Sequence, residues 1–381
     1  TSFAYDPNGN LLTVTDARGN TITHEYDAMD RLSRRIDQVG RAETFSYDGN
    51  GNLASTTDRK GQTTTFVYDP LNRRTRATYA DGAVATFTYD AGGRLLQADD
   101  TADPHRPITL AYDPLDRLLA ETTVLGTVSY QYDPLGRRTQ MTVSGQSPVA
   151  YTYDAASRLR TITQAPLNPV DIQYDALGRR TLLTLPNGVS TEYVYDLGSR
   201  LTALVYRSAL GPLGDLTYQY DAAGNRTAVG GSFARTLVPD PVPSATYDAA
   251  NRQLAFGTKS MTFDDNGSLA TLTEPIGITT FIWDARDRLV EVNGPTLADS
   301  FRYDAFSRRA EKGIDGQTSK AVFDRLDAVL QRENGSDVPY LRTMAVDEPL
   351  VAAAELAVPP DTAGGYQLSP HVLRYYETAR S

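Results

Sequence analysis

The stretch Tyr132-Asp133-Pro134-Leu135-Gly136-Arg137 is one copy of a motif that recurs along most of the chain. An aromatic residue followed directly by Asp returns sixteen times, and most steps between copies are 20 or 21 residues. A fixed period of this length is typical of repeat proteins, in which each unit buries its apolar face by packing on its neighbours. The aromatic residues, which number the units 1 to 16, are Tyr5, Tyr26, Tyr47, Tyr68, Tyr89, Tyr112, Tyr132, Tyr153, Tyr174, Tyr195, Tyr220, Tyr247, Phe263, Trp283, Tyr303 and Phe323.

The residues after each aromatic have the composition of a tight turn, which we call the anchor turn. In unit 7, the Asp133 side chain is suited to accept hydrogen bonds from the backbone amides that follow it. Pro134 fixes its own φ near the value that the turn needs, and Gly136 allows positive φ. The fourth position after the aromatic is Gly, Asp, Asn or Ser in every unit, from Gly9 to Asp327, and these residue types tolerate left-handed geometry. The anchors that we single out as structural residues are Tyr5, Asp6, Gly9, Tyr26, Asp27, Tyr47, Asp48, Gly51, Tyr68, Asp69, Tyr89, Asp90, Gly93, Tyr132, Asp133, Gly136, Tyr153, Asp154, Tyr174, Asp175, Gly178, Tyr195, Asp196, Trp283, Asp284, Tyr303 and Asp304.

Strand signals flank each anchor turn. Thr65-Phe66-Val67-Tyr68 places aromatic residues two apart, which predicts a strand with two distinct faces. A second turn signal, which we call the return turn, sends the chain back. It often has Gly fourteen residues after the aromatic, as at Gly19, Gly40, Gly61, Gly82 and Gly188. Each unit is therefore predicted to be a β-hairpin, and sixteen units give about 32 strands.

Three segments depart from the regular period. Insertions occur at residues 208–214 and 230–243, and a Pro-rich segment extends a return turn at residues 102–107. Insertions in repeat proteins fall in loops on one rim, so we expect surface loops at the first two places. Two prolines exclude regular strand pairing in the third.

The recurring Tyr-Asp-x-x-Gly-Arg-Leu pattern resembles the YD repeats of Rhs proteins, Tc-toxin BC components and teneurins. The resemblance covers residues 1–330, which form the expected YD-repeat β-shell. Phe323-Asp324-Arg325-Leu326-Asp327 and Val346-Asp347-Glu348-Pro349-Leu350 resemble the passage toward an Rhs core domain. We interpret residues 331–381 as an irregular tail leading toward that core, which is absent from the chain. The resemblance implies a β-strand spiral that closes into a hollow shell, which in Rhs and Tc members encloses a toxic C-terminal domain.

The composition excludes several classes of protein. A net charge of -10, from 37 Lys and Arg against 47 Asp and Glu, does not favour binding to nucleic acid or anionic lipid. No apolar run is long enough to span a bilayer. The chain has no Cys, so its cysteine content does not indicate whether it works in an oxidising or a reducing compartment. The resemblance implies a secreted or cell-surface protein. Thr1 opens within a strand pattern, so we expect this chain to be a fragment of a longer protein.

The number of strands limits the architecture. An open sheet rarely exceeds about 10 strands before it curls or splits. About 32 strands at roughly 4.8 Å make a ring about 50 Å across, which side chains cannot fill. The predicted fold is all-β, with antiparallel hairpin repeats that spiral into a hollow shell or barrel. An eight-bladed β-propeller is the alternative, but its period of about 42 residues is not seen in the sequence.

The sequence predicts no catalytic, cofactor-binding or metal-binding residue. The imidazoles are His24, His105 and His371, and none has a partner nearby in sequence that would make a nucleophile-base pair. His24 takes a strand position in the aromatic row, whereas His105 lies in the Pro-rich segment and His371 in the tail. Asp264-Asp265-Asn266-Gly267 resembles part of a calcium loop, but without the remaining ligands the interpretation as a turn is favoured.

Two further expectations concern the aromatic and basic residues. Anchor rings on adjacent strands are expected to stack on each other, worth about 0.5 to 1.5 kcal/mol per pair beyond burial, with Tyr68 and Tyr89 largely buried. Sugar binding by exposed rings is the alternative. Each anchor Asp is expected to cap its own turn and to be offset by the Arg that follows the turn, rather than to bind Ca²⁺. The basic pairs are expected to be solvated charges beside turns. They are Arg34-Arg35, Arg73-Arg74, Arg137-Arg138 and Arg179-Arg180.

Two functions compete. The favoured one is a non-enzymatic structural shell segment of an Rhs/Tc-type polymorphic toxin. Its partners would be the enclosed C-terminal toxin domain and the remaining shell segments, with a delivery-machine component as a further partner. The alternative is an extracellular adhesion or carbohydrate-binding module, whose partners would be glycans. Neither function involves a cofactor, nucleic acid or a membrane span.

Overall fold

The computed structural model describes residues 1–234, 244–314, 316–333, 336–342 and 349–352. Every regular element in these residues is a β-strand, and they form one sheet of 22 strands and a second sheet of 12. Within this part of the chain, no helix is long and apolar enough to cross a membrane. The all-β class and the hairpin repeats predicted from the sequence are confirmed.

In the first sheet each strand pairs antiparallel with the next one along the chain. Its strands are β1 Ser2–Tyr5, β2 Leu11–Thr15, β3 Thr21–Tyr26, β4 Leu32–Ile36, β5 Ala42–Tyr47, β6 Leu53–Thr57, β7 Thr63–Tyr68, β8 Arg74–Thr78, β9 Val84–Tyr89, β10 Leu95–Asp100, β11 Ile108–Tyr112, β12 Leu118–Thr123, β13 Gly126–Tyr132, β14 Arg138–Val143, β15 Val149–Tyr153, β16 Leu159–Gln164, β17 Val170–Tyr174, β18 Arg180–Thr184, β19 Ser190–Tyr195, β20 Leu201–Ser208, β21 Gly211–Tyr220 and β22 Arg226–Gly230.

The second sheet repeats this meander. Its strands are β23 Ala245–Tyr247, β24 Gln253–Phe256, β25 Lys259–Phe263, β26 Leu269–Glu274, β27 Gly277–Trp283, β28 Leu289–Gly294, β29 Leu297–Tyr303, β30 Arg309–Ile314, β31 Gln317–Asp324, β32 Asp327–Glu333, β33 Ser336–Arg342 and β34 Pro349–Ala352. Two continuous sheets are not propeller blades, so that alternative is wrong. Within the described residues no pairing joins β1 to β22 or β23 to β34, so neither sheet closes on itself. The hairpins continue past residue 330 as far as β34.

The anchor turns are type I turns followed by a residue in the left-handed region. In unit 7 the Gly136 amide donates to the Asp133 carbonyl, and the Asp133 amide donates to the Arg137 carbonyl, both at 2.9 Å. The strand register shifts just before Tyr132, as expected for a bulge that follows such a turn. The left-handed position is occupied by Gly9, Asp30, Gly51, Asn72, Gly93, Asp116, Gly136, Ser157, Gly178, Ser199, Gly224, Asn251, Gly267, Asp287 and Ser307.

Unit 16 departs from this geometry. Asp324 pairs with Asp327, which leaves a turn of two residues between β31 and β32. Positive φ therefore falls on Arg325, at 57°, and the prediction that Asp327 takes this conformation is wrong.

The irregular segments are accommodated in different ways. Strands β10 and β11, on either side of residues 102–107, pair with each other at only two positions, as the prolines in that segment predict. The insertion at residues 208–214 is not a loop, because it lengthens β20 and β21 into one long hairpin in which Ser208 pairs with Gly211. Residues 235–243 of the second insertion lie outside the described residues.

The two faces of the first sheet differ in burial. Along β13, Val128 and Tyr130 are buried, whereas Gln131 on the opposite face is exposed. Buried residues of this face, from Leu125 to Leu183, form a cluster that also contains residues of β31 and β32. Its members are Leu125, Val128, Tyr130, Met141, Val143, Val149, Tyr151, Ile162, Val170, Ile172, Leu183, Val322, Val329 and Leu330. The second sheet therefore packs on part of the first, and the contacts between them form the candidate site.

Candidate functional site: the inter-sheet interface

Within each sheet, the anchor side chains form a repeating network. The Asp133 carboxylate accepts hydrogen bonds from the amides of Leu135 and Arg137 at 2.9 Å, and from Arg137 Nε at 2.7 Å. The Arg137 guanidinium lies 4.6 Å from the centre of the Tyr153 ring in the next unit. The Tyr153 hydroxyl donates to the Arg138 carbonyl at 2.7 Å. The anchor turn of unit 7 is therefore tied to that of unit 8 through Arg137 and Tyr153.

These hydrogen bonds stabilise the ionised carboxylates. The amide and the guanidinium of Arg94 both donate to Asp90 and lower the pKa of its carboxyl group below the ordinary value. The pKa of Asp196 is lowered in the same way by Arg200. These two carboxylates therefore stay charged at neutral pH, and each is offset by the arginine that follows its turn. In units 1, 3 and 11 an asparagine takes the place of the arginine and donates to the anchor carboxylate.

Between the sheets, anchor turns of the second sheet lie against return turns of the first. Arg41 Nη1 donates to the Asp264 carbonyl and pairs with Asp265, both at 3.0 Å. Lys60 Nζ pairs with Asp264 at 3.2 Å and with Asp287 at 3.3 Å. We call the contacts between residues 16–146 and 248–337 the inter-sheet interface.

Asn266, in the anchor turn of unit 13, is a central member of this interface. Its side-chain amide donates to Asp58 at 2.7 Å and to Asp287 at 2.8 Å. Its backbone carbonyl accepts from Arg59 Nη2 at 2.6 Å. Asn266 is buried although it lies at the tip of a turn, because the return turn of unit 3 covers it.

Further along the interface, the contacts are buried acid-base pairs. Arg286 binds Asp100, which is fully buried. Arg308 Nη2 donates to Glu121 at 2.5 Å, and its Nε donates to Asp304 at 2.6 Å. Arg308 is itself only 7% exposed. A buried charge is costly unless it is paired, so these contacts require the two sheets to meet in one register.

A second buried group surrounds His105. Its Nε2 lies 3.0 Å from Glu311 Oε2, and its amide donates to Asp103 Oδ1 at 2.7 Å. Asp103 Oδ2 is buried and has no hydrogen-bond partner among the described residues. Burial raises the pKa of Asp103 and, despite the bond from Arg308, that of Glu121.

Tyrosines take part in the same interface. The Tyr130 hydroxyl donates to Asp324 at 2.9 Å, and Arg138 pairs with the other oxygen of that carboxylate. The Arg138 guanidinium lies 5.5 Å from the centre of the Tyr130 ring and 5.0 Å from that of Tyr151. Burial raises the pKa of Tyr151 to about 12, so these phenols stay neutral at physiological pH.

Two cavities border the interface. The smaller one, of about 10 Å³, has room for one water molecule beside Asp103 and His105. The larger one is an open cleft of about 640 Å³ between the anchor turns of units 6 and 7 and those of units 15 and 16. Among its lining residues, Arg117, Arg308 and Glu121 already bind protein partners. In the part of the chain that the structure describes, no group of three or more His, Cys, Asp or Glu residues is placed to hold a metal ion.

A family model of the RHS repeat matches four segments of the chain, residues 5–42, 47–84, 112–147 and 174–210. Each match begins at an anchor tyrosine and runs through the anchor turn of the following unit. The chain therefore contains RHS repeats in these four segments. The resemblance to YD and Rhs repeats that the sequence showed is thereby confirmed.

The RHS-repeat chain also has the fold of solved Tc toxin chains. One is from a mutant Tc holotoxin pore of Photorhabdus luminescens, with 16% identity and a TM-score of 0.53 over 88% of this chain and 24% of that one. Another is the TcdB2-TccC3 crystal structure, with 16% identity and a TM-score of 0.54 over 89% of this chain and 26% of that one. The RHS-repeat chain therefore spans about a quarter of their length. No curated protein sequence matches it.

In the described residues, anchor rings that the sequence predicted to stack on each other lie against arginine guanidinia. The Arg73 guanidinium, for example, lies 4.8 Å from the centre of the Tyr89 ring. Tyr68 and Tyr89 are half-buried, so neither ring is freely exposed to solvent. The stacking prediction failed because an arginine that follows an anchor turn is long enough to reach the ring of the next unit. It then covers the face on which a neighbouring ring would stack.

The basic pairs of the RHS-repeat chain are solvated only in part, since Arg35 and Arg74 are exposed whereas Arg138 is mostly buried. The first arginine of the pair binds its anchor carboxylate, as Arg73 binds Asp69 at 2.6 Å. The second lies among rings on the aromatic face, as Arg74 lies 5.1 Å from the centre of the Phe87 ring. In unit 2 the pair instead makes cross-strand ion pairs with glutamates.

The remaining sequence predictions have mixed outcomes. Asp264 accepts from the Ser268 amide at 2.8 Å, as in other anchor turns, so its interpretation as a turn is confirmed. His24 lies in β3 as predicted, and His371 lies outside the described residues. His105, in contrast, does have a partner, Glu311, 206 residues away in the chain.

Sequence reasoning also missed the buried acid Glu121, although the repeat contains a signal for it. Glu121 pairs with Leu110 across β11 and β12. In the hairpins on either side, the equivalent strand positions are Ala98 and Met141, which are buried and apolar. A carboxylate at a repeat position that is buried and apolar in the adjoining hairpins is therefore a usable sign of a contact outside the repeat.

Proposed function

We propose that this RHS-repeat chain is a wall segment of a hollow β-shell and that it acts by enclosing another polypeptide, without catalysis. The observation that carries this proposal is the docking of anchor turns of units 12 to 16 on return turns of units 1 to 7, as in the contacts of Arg41, Asn266 and Arg308. A hairpin meander extends a sheet in one direction only. Docking of turn on turn joins sheets in the second direction, and a wall needs both.

The enclosed polypeptide is proposed to be a C-terminal toxin domain of the parent protein, by analogy with Rhs and Tc members. A wall of this kind excludes proteases and holds its cargo at high local concentration. Its other partners would be further shell segments and a delivery-machine component, and its location would be secreted or at the cell surface. The anchor network supports a structural role, because its Asp, Arg and Tyr side chains bind each other within the sheet.

Limited proteolysis of the natural protein that contains this chain tests the proposal. The C-terminal segment should resist a nonspecific protease in the native particle and become sensitive when mild denaturant opens the wall. The double variant Arg286→Ala/Arg308→Ala removes two buried interface contacts and should raise the cleavage rate without denaturant. Arg302→Ala, an exposed position on β29, is the matched control and should cleave like the wild type.

If the C-terminal segment is cut as fast in the native particle as in the opened one, the enclosure proposal is wrong. The adhesion or carbohydrate-binding function would then be favoured. That alternative has less support, because the anchor rings that would stack on sugars already have one face against an arginine, as Tyr47 has against Arg31. Binding of glycans that depends on anchor tyrosines would be the positive evidence for it.

A further inference from the structure

The first sheet exposes an apolar ledge along its anchor turns. The two residues after each anchor Asp form the tip of the turn. From unit 1 to unit 11 these pairs carry no charge at all: Pro7-Asn8, Ala28-Met29, Gly49-Asn50, Pro70-Leu71, Ala91-Gly92, Pro114-Leu115, Pro134-Leu135, Ala155-Ala156, Ala176-Leu177, Leu197-Gly198 and Ala222-Ala223. Leu115, Leu135 and Leu177 are 70%, 72% and 73% exposed. We call this row the anchor ledge. With Leu71 and Leu197, which are 67% and 108% exposed, these leucines place several exposed apolar side chains along one edge of the sheet.

The second sheet shows how such a ledge is used. The equivalent turn-tip residues Asn266 and Arg286 are the ones that dock on the first sheet. They are polar or charged, and so are the return turns that receive them, through Asp58 and Asp100. In the second sheet, these two anchor-turn tips are therefore docking residues, and their chemistry matches that of the segments they meet.

Return turns that match the anchor ledge also occur in this chain. The return turns of units 8 to 10, at residues 164–169, 185–188 and 208–211, contain no charged residue. Leu210 is 96% exposed at the tip of the β20–β21 hairpin. Within the described residues, no hydrogen bond or ion pair joins these turns to the second sheet. We call them the uncharged return rim.

We propose that the anchor ledge binds the uncharged return rim of a second copy of this chain. The contact would continue the geometry of the inter-sheet interface with apolar groups in place of ion pairs. The ledge and the rim are different surfaces on one molecule, so the contact between two copies is head-to-tail and leaves one free surface at each end. This inference does not depend on the presence of an enclosed cargo.

The test uses sedimentation velocity of the purified chain over a range of concentrations. The wild type should associate, and the association should persist at high salt because no ion pair supports it. The ledge variant Leu115→Asp/Leu135→Asp/Leu177→Asp should weaken association by at least about tenfold, since it places charges in an apolar contact. Val67→Asp/Val194→Asp, at exposed positions on β7 and β19 away from the turns, is the matched control and should associate like the wild type.

A mixing experiment tests the head-to-tail geometry. The rim variant Ala165→Asp/Leu210→Asp should also be monomeric alone, and circular dichroism should show that both variants keep their strands. The ledge variant retains an intact rim and the rim variant an intact ledge, so a mixture of the two should form a 1:1 dimer that does not grow further. A monomeric wild type, an associating ledge variant, or a mixture that stays monomeric would each overturn the proposal.

Discussion

Arg286 and Asp100 bind each other across the inter-sheet interface although they are 186 residues apart in the chain. Asp100 is fully buried, and the Arg286 guanidinium lies 3.9 Å from the centre of the Tyr79 ring. Asp100 is the last residue of β10, Arg286 lies at the tip of the anchor turn of unit 14, and neither residue is part of the repeat motif. The pair therefore links unit 14 to units 4 and 5 in a way that no local pattern requires.

Removal of one partner of this pair should be strongly destabilising. Arg286→Ala leaves the Asp100 carboxylate buried without a counter-charge and should cost about 3 to 5 kcal/mol of unfolding free energy. The double variant Asp100→Ala/Arg286→Ala removes the stranded charge and should recover part of that loss. Denaturant unfolding of the two variants measures the difference. Equal destabilisation by both would mean that the pair is not buried as described.

The two glycines in the anchor turn of unit 3 should respond differently to substitution by alanine. Gly51 has a φ of 88°, whereas Gly49, two residues earlier, does not have positive φ, and an added Cβ at Gly49 meets no atom within 4 Å. Gly51→Ala should cost about 1 to 2 kcal/mol because of backbone strain. Gly49→Ala should be neutral or slightly stabilising, since it restricts the unfolded chain. Similar effects at both positions, measured by thermal unfolding, would contradict the assigned turn.

The arginine of the anchor network should not be replaceable by lysine. Arg137→Lys keeps the charge but loses both the Nε bond to Asp133 and the planar contact with the Tyr153 ring. We expect a loss of about 1 to 2 kcal/mol. Arg76→Lys, an exposed position on β8, is the control and should change the unfolding free energy by less than about 0.5 kcal/mol. An equal, small effect of both substitutions would show that the network contributes nothing specific.

The pH dependence should differ between the hairpins and the interface. The lowered pKa of Asp90 gives the hairpins stability that is present above its unfolded value, about 3.9, and is lost as pH falls through the folded value. Asp103 and Glu121 have raised pKa values, so their contribution is present below the unfolded values and is lost as pH rises through the folded ones.

Hydrogen exchange between pH 4 and 8, corrected for the intrinsic rate, measures these opposite trends. Protection of strands β12 and β30, which carry the interface, should decrease as pH rises, while that of β7 and β8 should not. The double variant Asp103→Asn/Glu121→Gln should flatten the trend at the interface. Interface protection that rises with pH in the wild type would contradict the raised pKa values.

The sequence alone determined the unit of this protein. The hairpin, its type I turn and the left-handed residue from Gly9 to Ser307 were all predictable, because turn geometry and strand alternation depend on residues within about five positions of each other. The family resemblance followed from the same local pattern. The packing of the anchor rings was not predicted correctly. An arginine and a neighbouring ring can each cover the face of an anchor ring, and the repeat sequence contains both.

Only the tertiary structure decided which units meet. The contacts of Glu121 with Arg308 and of His105 with Glu311 join residues 187 and 206 positions apart. Their register is the sum of small twists between successive strands over a 22-stranded sheet, and a few degrees at each step change which return turn faces which anchor turn. The accumulated twist cannot be read from any local sequence pattern. The partners of the buried charges could therefore be identified only from the arrangement of the two sheets.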